Sequence, residues 1–133
     1  MTITQKIALL YFLILLSAAA LNYVPGITDD QGRSFGIFAL DIFDDALHLV
    51  SASWALVAAI ISRSTARFFL IWFGVLYLAD GALGLATGSG YLDLGIVNHG
   101  VLDLPFGFKV LANLPHIGLG GFALVAGLLL DRD

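Results

Sequence analysis

Four long apolar runs decide what this 133-residue chain can fold into. Each run has close to the roughly 17–25 residues with which a helix crosses the hydrocarbon core of a bilayer. The runs are continuously apolar, which excludes the alternating strands of a membrane barrel. The sequence therefore predicts an all-α fold, in which a single transmembrane domain (residues 1–133) forms an integral membrane four-helix bundle. The expected spans cover residues 7–23, 46–61, 68–86 and 110–130.

Composition narrows the possible functions. Only 12% of the residues are charged and 59% are hydrophobic, whereas a soluble domain has about 25% charged and about 45–50% apolar residues. The chain has no cysteine, which excludes disulfides, thiolate catalysis and cysteine-ligated metal clusters. Its six Lys and Arg residues are scattered singly, so the sequence offers no basic patch for nucleic acid. No nucleophile–base pair or phosphate-binding glycine loop occurs, and we do not expect an enzyme.

The basic residues predict how the bundle lies in the membrane. Four of the six flank the chain ends and the short turn between the second and third runs: Lys6, Arg63, Arg67 and Arg132. Because cytoplasmic segments are enriched in Lys and Arg, we expect both termini to face the cytoplasm and the two longer loops to face out. One competing interpretation concerns the first run. Lys6, the apolar stretch and Ala18-Ala19-Ala20 together also resemble a secretory signal peptide.

One motif occurs twice. Asp45-Ala46-Leu47-His48 returns as Asn113-Leu114-Pro115-His116, and in both copies an aromatic residue six positions later leads into Ala-Leu-Val-Ala. The duplication predicts two tandem two-helix repeats in the same orientation. Asp44 and Asp45 are expected to cap the second helix. Asn113 is expected to cap the fourth, with Pro115 in its first turn.

Each predicted span contributes polar side chains at a similar depth. Counting about 1.5 Å per residue from the basic end of each span places them in the outer third of the bilayer. Asp80 is the least expected member, because an unpaired carboxylate inside a membrane is costly. If the side chains face inward, Asp80 accepts hydrogen bonds from one or both histidines. The predicted polar layer consists of Asn22, His48, Asp80, Asn113 and His116.

Three interpretations of this layer stay open. The first is a structural Asp–His pair that fixes the bundle. The second is a proton relay or ion site built on Asp80 and the histidines. The third is a metal or haem site, with His48, His116 and Asp45 as candidate ligands and Asp41, Asp44 and His99 nearby. Established metal-binding helix motifs such as HExxH do not occur, and we predict no cofactor.

Small residues recur at helical spacing along three spans. They predict faces on which helices approach closely, either within the bundle or in a homo-oligomer or larger membrane complex. The set comprises Ser51, Ala55, Ala59, Gly74, Gly81, Gly84, Gly118, Gly120, Gly121, Ala123 and Gly127.

Four segments of the chain carry a family pattern. They are the turn Val24-Pro25-Gly26-Ile27-Thr28, residues 36–40 leading to the first histidine motif, residues 74–77 with 83–85, and the second histidine motif. Together they resemble a bacterial membrane family known as domain of unknown function 4383. The resemblance covers nearly the whole chain and implies four helices in a bacterial cytoplasmic membrane, but no activity, substrate or cofactor. Asp45 stands where the family tends to have Asn, and Asp80 falls in a stretch that is usually apolar, so a role for Asp80 is particular to this chain.

The sequence thus leads to one preferred function and two alternatives. We expect a small polytopic protein, embedded in the lipid bilayer of the bacterial cytoplasmic membrane. It would act as a structural or accessory membrane component, alone, as a homo-oligomer or within a larger membrane complex. The alternatives are transport of a proton, ion or small solute through Asp80 and the histidines, and a histidine-ligated metal or haem site.

Overall fold

Four long helices form the bundle. The computed structural model describes residues 1–30, 33, 35–38 and 42–131, without the side chain of Asn22. All four helices are long and apolar enough to cross a membrane, which confirms the predicted all-α four-helix architecture. They are α1 (Ile3–Ala20), α2 (Ile42–Ile61), α3 (Arg63–Thr87) and α5 (Phe106–Leu129), with a short α4 (Gly95–His99) in the second long loop and a 3₁₀ turn (Leu21–Tyr23) after α1.

The helices start earlier than the apolar runs do. Helix α2 begins at Ile42, so Asp44 and Asp45 lie in its first turn and not at the cap. There they still face the positive end of the helix dipole. Helix α5 begins at Phe106, which places Asn113 and Pro115 in its interior. The predicted cap at Asn113 was therefore wrong, because hydropathy marks the hydrocarbon-spanning part of a helix and not its polar first turns.

The four helices associate as two close pairs. Helix α3 packs most extensively on α5, and α1 on α2, while α3 also contacts both α1 and α2. Large side chains fill the centre, and large apolar side chains also cover the outside of all four helices. Such an exterior suits contact with lipid. The largest fully buried side chains include Tyr11, Leu15, Phe69, Leu70, Phe73 and Tyr77.

Glycines bring the backbones of α3 and α5 into contact. A Cβ added at Gly74 would lie 2.6 Å from the amide nitrogen of Leu124 and 2.7 Å from the carbonyl oxygen of Gly120. A Cβ added at Gly120 would lie 2.5 Å from the amide nitrogen of Leu78. No side chain fits at either position without moving the backbone. By contrast, the neighbouring Gly121 faces open space.

The chain ends are joined at the opposite end of the bundle from the long loops. Asp131 accepts hydrogen bonds from the backbone nitrogen of Thr4 at 2.7 Å and from its hydroxyl at 2.8 Å. These bonds, the backbone one foremost, hold the pKa of Asp131 below its usual range. Arg67 donates from Nε to the carbonyl of Gly127 at 3.1 Å. We call this the termini end, and the opposite end the loop end.

Adjacent glycines of α5 give a matched test of the close helix contact. Gly120→Ala should destabilise the bundle by about 1–3 kcal/mol, because the new methyl group forces α3 and α5 apart. Gly121→Ala should be neutral or stabilising by up to about 1 kcal/mol, since alanine is the better helix former. Thermal unfolding in detergent measures both. Equal melting temperatures for the two variants would contradict the close approach.

Candidate functional site

A buried carboxylate organises the loop end of the bundle. Asp80, near the end of α3, is only 3% exposed. Its Oδ1 accepts hydrogen bonds from the backbone nitrogens of Tyr91 at 2.8 Å and Leu92 at 2.9 Å. Its Oδ2 contacts Nδ1 of His116 on α5. The two amides are donors, as Oδ1 requires, and Nδ1 of His116 donates to Oδ2 in the tautomer that carries its proton there.

The loop after α3 is shaped to reach this carboxylate. Gly88 ends the helix in the left-handed conformation, with φ of 82°. Two residues later, a Cβ added at Gly90 would lie 2.8 Å from Oδ2 of Asp80. Only glycine lets the backbone pass so close. Tyr91 then also donates from its hydroxyl to the carbonyl of Leu76 at 2.8 Å, which fastens the loop to α3 a second time.

The two histidines of the repeated motif meet beside Asp80. The rings of His48 and His116 lie edge to face with centroids 6.4 Å apart. His48 is 7% exposed, and its Nδ1 has no hydrogen-bond partner among the described residues. Tyr77 packs against His116 with ring centroids 5.0 Å apart. Its hydroxyl is 2.9 Å from that of Ser51. The structure therefore brings together His48, Asp80 and His116 from three helices.

Two other predicted site residues, Asn113 and Asp45, form hydrogen bonds outside this group. Asn113 donates from Nδ2 to the carbonyl of Lys109 at 2.8 Å, one turn back on its own helix. Asp45 accepts from the hydroxyl of Tyr23 at 3.3 Å. The side chain of Asn22 lies outside the described residues, as does Asp41.

The candidate metal ligands that the structure describes are not gathered into a metal site. Within residues 1–30, 33, 35–38 and 42–131, no three His or Asp side chains form a group that could hold a metal ion. His48 and His116 are neighbours, but Asp45 is bonded to Tyr23 instead. His99 and His116 line the same cavity at the loop end, but they form no group of three possible ligands with a described Asp.

Two cavities adjoin the histidine pair. The larger, of about 310 Å³, lies at the loop end and reaches Asp80 and His116. Its wall includes the polar residues Arg33, Asp44, Ser89, Asp93, His99 and Asn113. The smaller cavity, of about 130 Å³, is lined by His48 and Tyr77 as well as His116. Phe38, Ala112 and His116 line both cavities, and the smaller one has the more apolar wall.

Sequence reasoning missed the loop amides, Gly90 and the Tyr77–Ser51 pair. The signal for the loop was available, because Gly88-Ser89-Gly90 directly follows the span that carries Asp80. A glycine-rich segment beside a buried acid is able to turn its amides toward that acid. The Tyr77–Ser51 contact had no such signal, since it depends on the rotation of two helices about their axes.

Comparisons with protein-family models, curated proteins and solved structures find no match for this chain. Membership of the family of domain of unknown function 4383 therefore stays a prediction.

Replacing Asp80 tests the site. Asp80→Leu should lower the melting temperature strongly, because each buried donor left without an acceptor costs about 1–3 kcal/mol. Asp80→Asn should lower it less, since the amide oxygen still accepts from the loop while the charge is lost. Thermal unfolding in detergent measures both, with the exposed Asp103→Asn as control. An Asp80→Leu curve that coincides with the wild-type curve would rule out the structural pair.

Proposed function

We propose that this chain is a structural or accessory component of the bacterial cytoplasmic membrane, built around a polar layer that organises its four helices. The hydrogen bonding of Asp80 carries this proposal. Its two oxygens are occupied by the loop amides of Tyr91 and Leu92 and by His116 of α5. A carboxylate used in this way joins parts of the protein and has little capacity left for a passing solute.

The interior between the polar layer and the termini end supports the same function. Toward the termini end, the centre is filled by Tyr11, Phe69, Leu70 and Phe73, all at most 1% exposed. The hydroxyl of Tyr11 donates to the carbonyl of Leu119 at 2.6 Å and so spans α1 and α5. Dense aromatic packing leaves little room for water. Among the described residues, the cluster of polar side chains around Asp80 ends, on its side toward the termini end, at the Tyr77–Ser51 pair.

The placement in the membrane is part of the proposal. The basic residues favour an orientation with both termini in the cytoplasm. The two close helix pairs, α1 with α2 and α3 with α5, match the order expected for two tandem two-helix repeats. The resemblance to the family of domain of unknown function 4383 favours a bacterial cytoplasmic membrane. A larger complex or homo-oligomer would use the apolar exterior.

Transport of protons is the second candidate function, and one observation favours it. The loop-end cavity reaches Asp80 and His116, while His48 lies beyond them with a buried, unpartnered Nδ1. A carboxylate and two imidazoles in this order are groups that exchange protons within membranes. No comparable observation favours the metal or haem site.

Proton flux separates the two candidate functions. Wild-type protein reconstituted in liposomes that contain a pH-sensitive dye should dissipate an imposed pH gradient no faster than protein-free liposomes. Asp80→Asn and Asp103→Asn should behave in the same way. Flux in the wild type that Asp80→Asn abolishes and Asp103→Asn preserves would replace the structural proposal with transport.

The absence of cysteine permits a clean test of orientation. Ser64→Cys introduces a thiol at an exposed position in the first turn of α3, and Asp103→Cys introduces one at an exposed position in the second loop. In intact cells, a membrane-impermeant maleimide should label only the Asp103→Cys variant, because the loop end is expected to face outward. Labelling of the Ser64→Cys variant alone would reverse the proposed orientation.

A further inference from the structure

Three polar side chains line one side of the smaller cavity, and the rest of its lining is apolar. Its apolar lining comes mainly from α1 and α5, and His48, Tyr77 and His116 close its inner side. Helices α1 and α5 are not among the helix pairs that pack closely. The cavity lies between these two helices, which the hydrogen bond from the Tyr11 hydroxyl to the carbonyl of Leu119 joins. Its lining includes Ile14, Leu15, Ala18, Pro115 and Leu119.

Each of the two histidines has one ring nitrogen without a hydrogen-bond partner among the described residues. His48 is 7% exposed and its Nδ1 has no partner among the described residues. His116 uses Nδ1 for Asp80, and no described residue bonds its Nε2. Of these two nitrogens, Nδ1 of His48 is buried, and an unpaired polar atom in such a place is costly. A ligand that bonded it would recover that cost.

We propose that this cavity binds a lipid-soluble phenol, with its hydroxyl placed against His48 and His116 and its ring between α1 and α5. A hydroxyl both donates and accepts hydrogen bonds, so it pairs with two imidazole nitrogens whichever of them carries the proton. The ring suits the apolar walls and the aromatic neighbour Tyr77. A site of this kind goes beyond the structural role, because that role needs only the Asp80 contacts.

The volume limits the ligand to one ring. The cavity measures about 130 Å³, close to the engineered apolar cavity of about 150 Å³ that binds benzene. A lipid tail attached to the ring would extend out of the cavity between α1 and α5. A fused ring system would not fit without separating the helices.

Fluorine NMR with two isosteric probes tests the proposal. The purified full chain in detergent is titrated with 4-fluorophenol and, separately, with 4-fluorotoluene, and empty micelles correct for partitioning. The phenol should bind saturably and about tenfold more tightly than the toluene, which corresponds to one or two hydrogen bonds. Equal affinities, or no saturable binding of the phenol, would overturn the proposal. This comparison needs only the wild-type protein.

Two variants on one helix locate the site. Ala18→Phe fills the cavity from α1 while both histidines stay in the chain, and it should abolish saturable phenol binding. Ala20→Phe adds the same ring at an exposed position two residues on and should leave binding unchanged. His48→Leu should reduce the preference for phenol over toluene to near onefold. Phenol binding that survives Ala18→Phe would place the site elsewhere and contradict the proposal.

Discussion

A single buried carboxylate sets the main constraint on this fold. A charge inside a membrane bundle is tolerated only when its hydrogen bonds are satisfied nearby. Asp80 meets this condition with two loop amides and one imidazole. The loop after α3 and the glycine at position 90 let the two amides reach Asp80, and His116 ties α5 to the same carboxylate.

Helix α3 consequently connects the other parts of the molecule. Its glycines bring it against the backbone of α5, and Asp80 ties it to the loop and to His116. Tyr77 links it to Ser51 of α2 at 2.9 Å. The polar contacts around Asp80 therefore lie at the loop end, and aromatic packing separates them from the hydrogen bonds of the termini end. This division fits a protein that is rigid across the membrane and presents its chemistry at one end.

Much of this arrangement could be predicted from the sequence, because it depends on length and composition. Four apolar runs of spanning length leave few alternatives to a helical bundle. Counting residues also placed Asp80, His48 and His116 at one depth. The helix starts at Ile42 and Phe106 were not predictable in this way, since polar first turns carry no hydropathy signal. Which glycines face another helix depends on rotation about the helix axis: Gly120 meets a backbone and Gly121 meets none.

The direct measurement of the central claim is amide hydrogen exchange at the loop that covers Asp80. In the wild type, the amides of Tyr91 and Leu92 should exchange slowly although they lie outside any helix, because Asp80 accepts their hydrogens. In Asp80→Ala, both amides should exchange rapidly. The amide of Gly88, bonded to the carbonyl of Gly84 at 2.8 Å, should still exchange slowly. Rapid exchange of Tyr91 and Leu92 in the wild type would contradict this account.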